Sequence, residues 1–413
     1  MRAKKLNKID KEASSIINQE LKRQQNELEL IASENYVSLA VLEAMSSVLT
    51  NKYSEGYPEK RYYGGNQVVD KIENLAIKRA KKLFNAEHVN VQPLSGSPAN
   101  LAVYMALLEP NDKVLGLKLD HGGHLSHGHQ VNFSGRLYDF VQYGVNEKSG
   151  LIDMDEVRKI ALKEKPKMII AGFSAYSREI DWEAFQSIAN EIKAYTFADI
   201  AHIAGLVAAG LLKNPVEIFD VVTTTTHKTL RGPRGAIIMC KEKYAKQIDR
   251  AVFPGIQGGP HDHVTAAKAV CFKEALSLEF KYYSKQVIKN AKALVEGFKN
   301  LDYQVVSGGT DNHLFILDLR NKNISGREAE KTLEKVGISV SRSTIPNDPS
   351  PPFNPSGLRL GSAALTTRDL KEKEMQEVVE LIDQSLKEKD NDEKLNKIKD
   401  RVKFLCKKFP LAY

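Results

Sequence analysis

The chain has 413 residues, 42% of them hydrophobic, which is enough to bury a large core as two domains plus an arm. Its formal charge of +8 is spread along the chain among acidic residues with no nucleic-acid signature, which sets RNA or DNA binding aside in favour of a solvated basic surface that attracts anionic small molecules. Three scattered cysteines, Cys240, Cys271 and Cys406, form no CxxC pair, and no apolar run could span a bilayer, so a cytoplasmic protein with no membrane partner is expected. The basic start, residues 1–8, leads into Asp10 and Glu12 rather than an apolar stretch, unlike a transit peptide.

In residues 9–30 the apolar positions Ile9, Ala13, Ile16, Ile17 and Leu21 fall at helical spacing and predict an amphipathic arm. From residue 89 short apolar runs alternate with helical segments. Strands are expected near 89–92, 114–118, 137–143, 168–173, 195–199, 219–224 and 236–240, which implies an α/β fold with a mostly parallel seven-stranded sheet whose ligands sit at the C-terminal strand edges. The first of these strands runs into Ser95-Gly96-Ser97-Pro98, where Ser97 suits a helix N-cap and Pro98 the first helical position, leaving free amides that bind phosphate. The histidines His121, His124, His127 and His129 follow in a glycine-rich loop that has no cysteine and only Asp120 as an acid, so no metal site is expected.

Strand 195–199 ends in Asp199, followed by Ile200-Ala201-His202. An acid there would keep a pyridine nitrogen protonated. Strand 219–224 runs through four threonines and His227 to Lys228, an amine held at a sheet edge where it can form a Schiff base. Lysine, acid and phosphate cup, each ending its own strand, make a pyridoxal phosphate constellation.

The proline-free stretch 264–300 is long enough to bridge two domains. Beyond it come strands near 303–307 and 314–317, a helix near 327–335, a strand at 338–341, a proline-rich turn region at 346–355, and helices near 368–387 and 392–407. Arg359 stands inside the apolar run Gly357-Leu358-Arg359-Leu360-Gly361, where a buried guanidinium needs a carboxylate partner. The expected division is an arm over 1–50, a large domain over 51–277 and a small domain over 278–413.

Long motifs extend this reading: LIASENY at 30–36, NKYSEGYPEKRYYGG at 51–65, HGGHL at 121–125, TTTTHKTLRGPRG at 223–235, AVFPGIQGGP at 251–260, SGGTDNHL at 307–314 and GLRLG around Arg359. In these the chain resembles the serine hydroxymethyltransferase family of fold-type I, aspartate aminotransferase-like pyridoxal phosphate enzymes with a smaller α+β C-terminal domain. The resemblance implies interconversion of serine and glycine with tetrahydrofolate as co-substrate; the alternative is a folate-independent aldolase of β-hydroxy amino acids.

It further implies that Lys228 carries the cofactor, that Asp199 faces its ring nitrogen, that His124 stacks on the ring, and that His202 lies near its phenolic oxygen. Ser95, Gly96, Ser97, Ser174 and Thr225 would complete the cofactor contacts, and Ser33, Tyr63 and Arg359 would hold substrate. Glu55 would move protons between the hydroxymethyl group and folate. Tyr53, Tyr63, Gly258 and Gly259 match positions that reach a neighbouring subunit's site, which implies a homodimer. Leu119, Gly123, Leu125 and Ser343 would face folate, although the family more often has asparagine at Ser343 and a small or apolar residue at Asp120.

Overall fold

The structure, a computed structural model, describes residues 3–413; the first two residues of the basic start lie outside the described residues. The seven expected strands all form, and they join one sheet. They are β1 (His88–Asn90), β2 (Lys113–Leu117), β3 (Asp139–Tyr143), β4 (Met168–Gly172), β5 (Tyr195–Asp199), β6 (Val221–Thr225) and β7 (Ala236–Cys240), in the order β1-β7-β6-β5-β4-β2-β3. Only β7 runs antiparallel to its neighbours. The third strand starts later than expected because residues Phe133–Leu137 form a helix capped by Asn132.

Alternate residues of these strands point to opposite faces. Leu115, Ile169 and Ile237 pack into one apolar cluster and Val114, Ile170 and Ile238 into another, so both faces are covered. The six like-directed strands therefore deliver their C-terminal ends to one edge.

A second sheet of β8 (Gln304–Val305), β9 (Leu314–Asp318), β10 (Ser341–Ser343) and β11 (Gly357–Gly361) is fully antiparallel, in the order β8-β9-β11-β10. It has its own core, with Phe315, Leu317, Leu358 and Leu360 packed on Leu381 and Ile382. The bridging stretch is two helices rather than one, Asp262–Ala275 and Leu278–Asn300, because Ser277 turns extended and caps the second through Phe280 N. That second helix contributes to both cores, with Phe280 in the first and Leu294, Val295 and Phe298 in the second. The expected helix at 368–387 forms as one helix that starts later, at Glu372–Lys387, and a separate short helix, Ala363–Thr367, precedes it.

The arm helix Lys11–Asn26 forms, capped by Asp10, whose Oδ1 accepts from Ala13 N at 2.9 Å. Ile9 ends a separate preceding helix, Ala3–Ile9, and the expected apolar face does not turn inward within the chain: Ile9, Ile16 and Ile17 are exposed while Ser14 is buried. The chain then lays Leu28–Glu29 parallel to Ile338–Ser339 and sinks Leu28 and Leu30 into the small-domain core. No helix among the described residues is long and apolar enough to cross a membrane.

The arm helix and the helix Asp392–Lys408 meet at Arg368, which is 1% exposed. Its guanidinium donates to Gln24 O at 2.8 Å, Gln25 O at 2.9 Å, and Cys406 O and Phe409 O at 3.1 Å. Arg368→Met keeps the bulk but strips donors from four carbonyls. We expect a stability loss of about 3 kcal/mol, read from the denaturation midpoint, with faster hydrogen exchange at the arm end and the C-terminal tail.

Candidate active site

The helix Gly96–Leu107 begins one step after Ser95, not after Ser97 as the sequence suggested. Ser95 O already accepts from Ala99 N at 3.1 Å, so Ser95 is the cap and Pro98 falls third in the first turn, where its missing amide costs no hydrogen bond. The amides of Gly96 and Ser97 have no hydrogen-bond partner among the described residues. Gly96 lies close to β6, since a Cβ there would meet Thr225 Cγ2 at 3.0 Å.

The cup opens into a cleft of about 350 Å³ that also gathers Ser33, His124, Ser174, Asp199, His202, Thr225, Lys228 and Arg359. These residues come from the ends of β1, β2, β4, β5 and β6, from the turn after Leu30, and from β11 of the small domain. Phe173, Ala201, His227 and Arg234 complete the wall.

Asp199 is buried at the end of β5. Its Oδ2 accepts from Asn100 Nδ2 at 2.9 Å and pairs with His127 Nε2 at 3.1 Å, and its Oδ1 accepts from Ala201 N at 3.0 Å. Burial would raise its pKa, but the hydrogen bond and charge of His127, aided by His124 and Asn100, hold the carboxyl well below the usual range. His124, His127 and Asp199 bring their ligand atoms within 4.8 Å of one another, yet each is engaged with protein partners.

His124 Nδ1 accepts from Ser126 N at 3.1 Å and takes the Ser126 hydroxyl at 2.7 Å, which leaves the proton of the neutral ring on Nε2. Burial, then the charge of His127, pushes its pKa down to about 4. His202 is stacked on His313 with ring centres 5.5 Å apart, and burial with the charges of Lys228 and Arg359 keeps it well below the imidazole range. His313 donates from Nε2 to Ala32 O at 3.1 Å. His227 follows the same rule, pushed down to about 3 by burial and Arg234.

The Lys228 side chain opens to the cleft while protein encloses the rest of it. Desolvation lowers its pKa to about 8, Asp199 opposes the shift, and Arg359 and Arg234 add to it. Arg359 donates from Nη1 to Ser174 O at 2.8 Å, and its Nε is buried without a partner among the described residues. Desolvation lowers even this guanidinium, to about 10. It is a cation set to receive an anion.

A second group lies outside this cleft. Tyr53 and Tyr63, each about half exposed at 55% and 49%, meet edge to face at 5.1 Å. The Tyr53 hydroxyl donates to Glu55 Oε1 at 3.3 Å, and a Cβ on Gly258 would sit 3.0 Å from the same oxygen, with Gly259 against the Tyr53 ring. Of the expected folate positions, Leu119 and Leu125 are exposed, Gly123 is buried, and the segment holding Ser343 is tied to the same loop by Thr344 Oγ1 donating to Asp120 O at 3.4 Å.

Sequence reasoning missed Asn100, His127 and His313 as members of the site. Asn100 had one signal, a polar residue inside an otherwise apolar helix, and His313 lies in the SGGTDNHL motif. The donors present fit pyridoxal phosphate: free helix amides and hydroxyls for the phosphate, an ionised acid for the ring nitrogen, a flat neutral imidazole, and an amine.

Such a group at the C-terminal edge of a mostly parallel seven-stranded sheet, with a small antiparallel domain supplying an arginine, defines a fold-type I pyridoxal phosphate-dependent enzyme. The family model for serine hydroxymethyltransferase matches residues 6–382, most of the chain, and the chain belongs to that family of glycine hydroxymethyltransferase-type enzymes.

The Lys228 pKa gives a direct expectation for the cofactor-free protein. Amine-directed labelling of Lys228 should rise to its half-maximum near pH 8, below the range of surface lysines, because the neutral amine is the reactive form. Site-resolved mass spectrometry across pH checks it; a midpoint with the bulk lysines contradicts it.

Proposed function

We propose that the protein converts L-serine and tetrahydrofolate to glycine and 5,10-methylenetetrahydrofolate, reversibly, with Lys228 as the residue that carries pyridoxal phosphate. The observation that supports this most is Arg359: a desolvated guanidinium with an unpaired Nε, sharing one cleft with Lys228, suits the α-carboxylate of an amino acid bound at that amine.

Ser95, Gly96 and Ser97 would hold the phosphate, and Ser174, Thr225 and His202 would line the remaining edge. Bound pyridoxal phosphate supplies an electron sink for the pair released when the bond from Cα to the hydroxymethyl carbon breaks. Asp199, kept ionised, holds a proton at the ring nitrogen. His124 presents its flat face, and neutrality suits it to that task. Arg359 and Ser33 orient the carboxylate so that the breaking bond is aligned, an effect that lowers the barrier by fixing geometry in advance. Lys228 gives up or takes back a proton near neutral pH.

Glu55 moves the proton at the serine hydroxyl and at folate, and Leu119, Gly123, Leu125 and Ser343 contact folate. The exposure of Tyr53 and Tyr63, and their separation from the cleft, support a homodimer in which Tyr53, Glu55, Tyr63, Gly258 and Gly259 act in the neighbouring chain's cleft. A cytoplasmic location accompanies this reading.

The test is glycine formation from serine with and without tetrahydrofolate. We expect strong dependence on folate; equal rates without it, on serine and on bulkier β-hydroxy amino acids, would identify a folate-independent aldolase. Glu55→Gln should lower the folate-dependent rate about a hundredfold or more while sparing cofactor binding. Equal loss of folate-independent cleavage would make Glu55 structural.

Shared sites give a separate expectation. Mixing inactive Lys228→Ala and inactive Tyr53→Ala proteins under subunit exchange should restore activity, since a mixed isologous dimer holds one site free of both defects. No recovery after proven exchange counts against the shared site.

A further inference from the structure

The helix Asp262–Ala275 carries a lysine that the proposed reaction does not use. Lys268 is 2% exposed, and its Nζ donates to Val91 O at 2.7 Å, Ala236 O at 2.9 Å and Pro93 O at 3.0 Å. Three acceptors around one nitrogen consume three N–H donors, so the packed form is the ammonium. Burial pulls its pKa down to about 7, opposed by the more distant Glu73 carboxylate. None of its hydrogen bonds goes to an acid. A buried cation satisfied only by carbonyl dipoles carries a large desolvation cost, and hydrophobic packing would fill the same volume without it.

The three carbonyls share a location. Val91 and Pro93 lie on the segment that runs from β1 into Ser95, and Ala236 opens β7 and pairs with Thr225, the residue packed against Gly96. The ammonium therefore fixes both sides of the backbone frame from which the Ser95–Ser97 turn is hung. Gly235 leaves room for it: a Cβ there would lie 2.6 Å from Lys268 Cε.

We propose that Lys268 is a positioning residue for the cofactor phosphate, holding the Gly96 and Ser97 amides in place for a dianion and adding a positive charge in the frame beside them. The proposal rests on reading Ser95–Ser97 as the phosphate cup.

The test titrates cofactor-free protein with pyridoxal phosphate and, separately, with pyridoxal, which lacks the phosphate, following bound cofactor by absorbance and by thermal shift. Lys268→Met should weaken pyridoxal phosphate binding about tenfold or more, the scale of one displaced charge-assisted hydrogen bond, and leave pyridoxal binding unchanged. Gly235→Ala, which displaces the lysine and keeps its charge, should shift in the same direction by less, and it carries the test if the methionine variant does not fold. Ser97→Ala is the control on the cup; if it leaves pyridoxal phosphate affinity unchanged, the cup reading falls and this proposal with it. If Ser97→Ala weakens binding but the Lys268 and Gly235 variants do not, or if they weaken both ligands equally, Lys268 serves the fold alone and the proposal is overturned.

Discussion

The ionised carboxylate of Asp199 is the charge around which the cleft is organised. Burying it requires donors, and the donors come from separate parts of the chain: Asn100 from the helix after the cup, His127 from the histidine loop, and Ala201 N from the turn beyond β5. Asn100 is itself oriented, its Oδ1 accepting from Thr223 Oγ1 at 2.8 Å and its Nδ2 also reaching Ser126 Oγ at 2.8 Å. Ser126 then fixes His124. One hydrogen-bonded chain thus runs from β6 through the cup helix to the acid and the stacking imidazole, so displacing any member disturbs the others.

Around that acid the cleft holds its other titratable groups away from their solution states. The histidines His124, His202, His227 and His313 are all held down by burial, and Lys228 and Arg359 are both lowered. Acid and bases are pushed apart by one environment, which keeps an ionised acid beside neutral rings and an amine near its titration point.

Much of this was legible in the sequence. Residues Asp199, Lys228 and Ser95–Ser97 end apolar runs, and a run that ends in a chemistry-bearing residue marks a strand edge. Arg359 was legible for a related reason, a charge inside GLRLG. The helix start was misread because Ser97-Pro98 is the better local cap signal, whereas the close approach of Gly96 to Thr225 comes from the sheet. Residues Asn100, His127 and Lys268 carry little signal of their own, because partners far away in sequence create their roles. The break at Ser277 was missed because no proline or glycine marks it. The arm's helical period was readable, but periodicity gives no address for an apolar face, and within one chain Ile16 and Ile17 remain exposed.

The junction at Arg368 has a consequence for how the chain is made. The carbonyls it holds belong to Gln24 and Gln25, made before the large sheet, and to Cys406 and Phe409, made after it. The large sheet is complete by Cys240 and can form during synthesis. The small domain cannot close in the same progressive way, because the strand Leu28–Glu29 waits for its partner Ile338–Ser339 and the buried guanidinium waits for Cys406 and Phe409. The arm is thus synthesised before the large sheet and secured only after it.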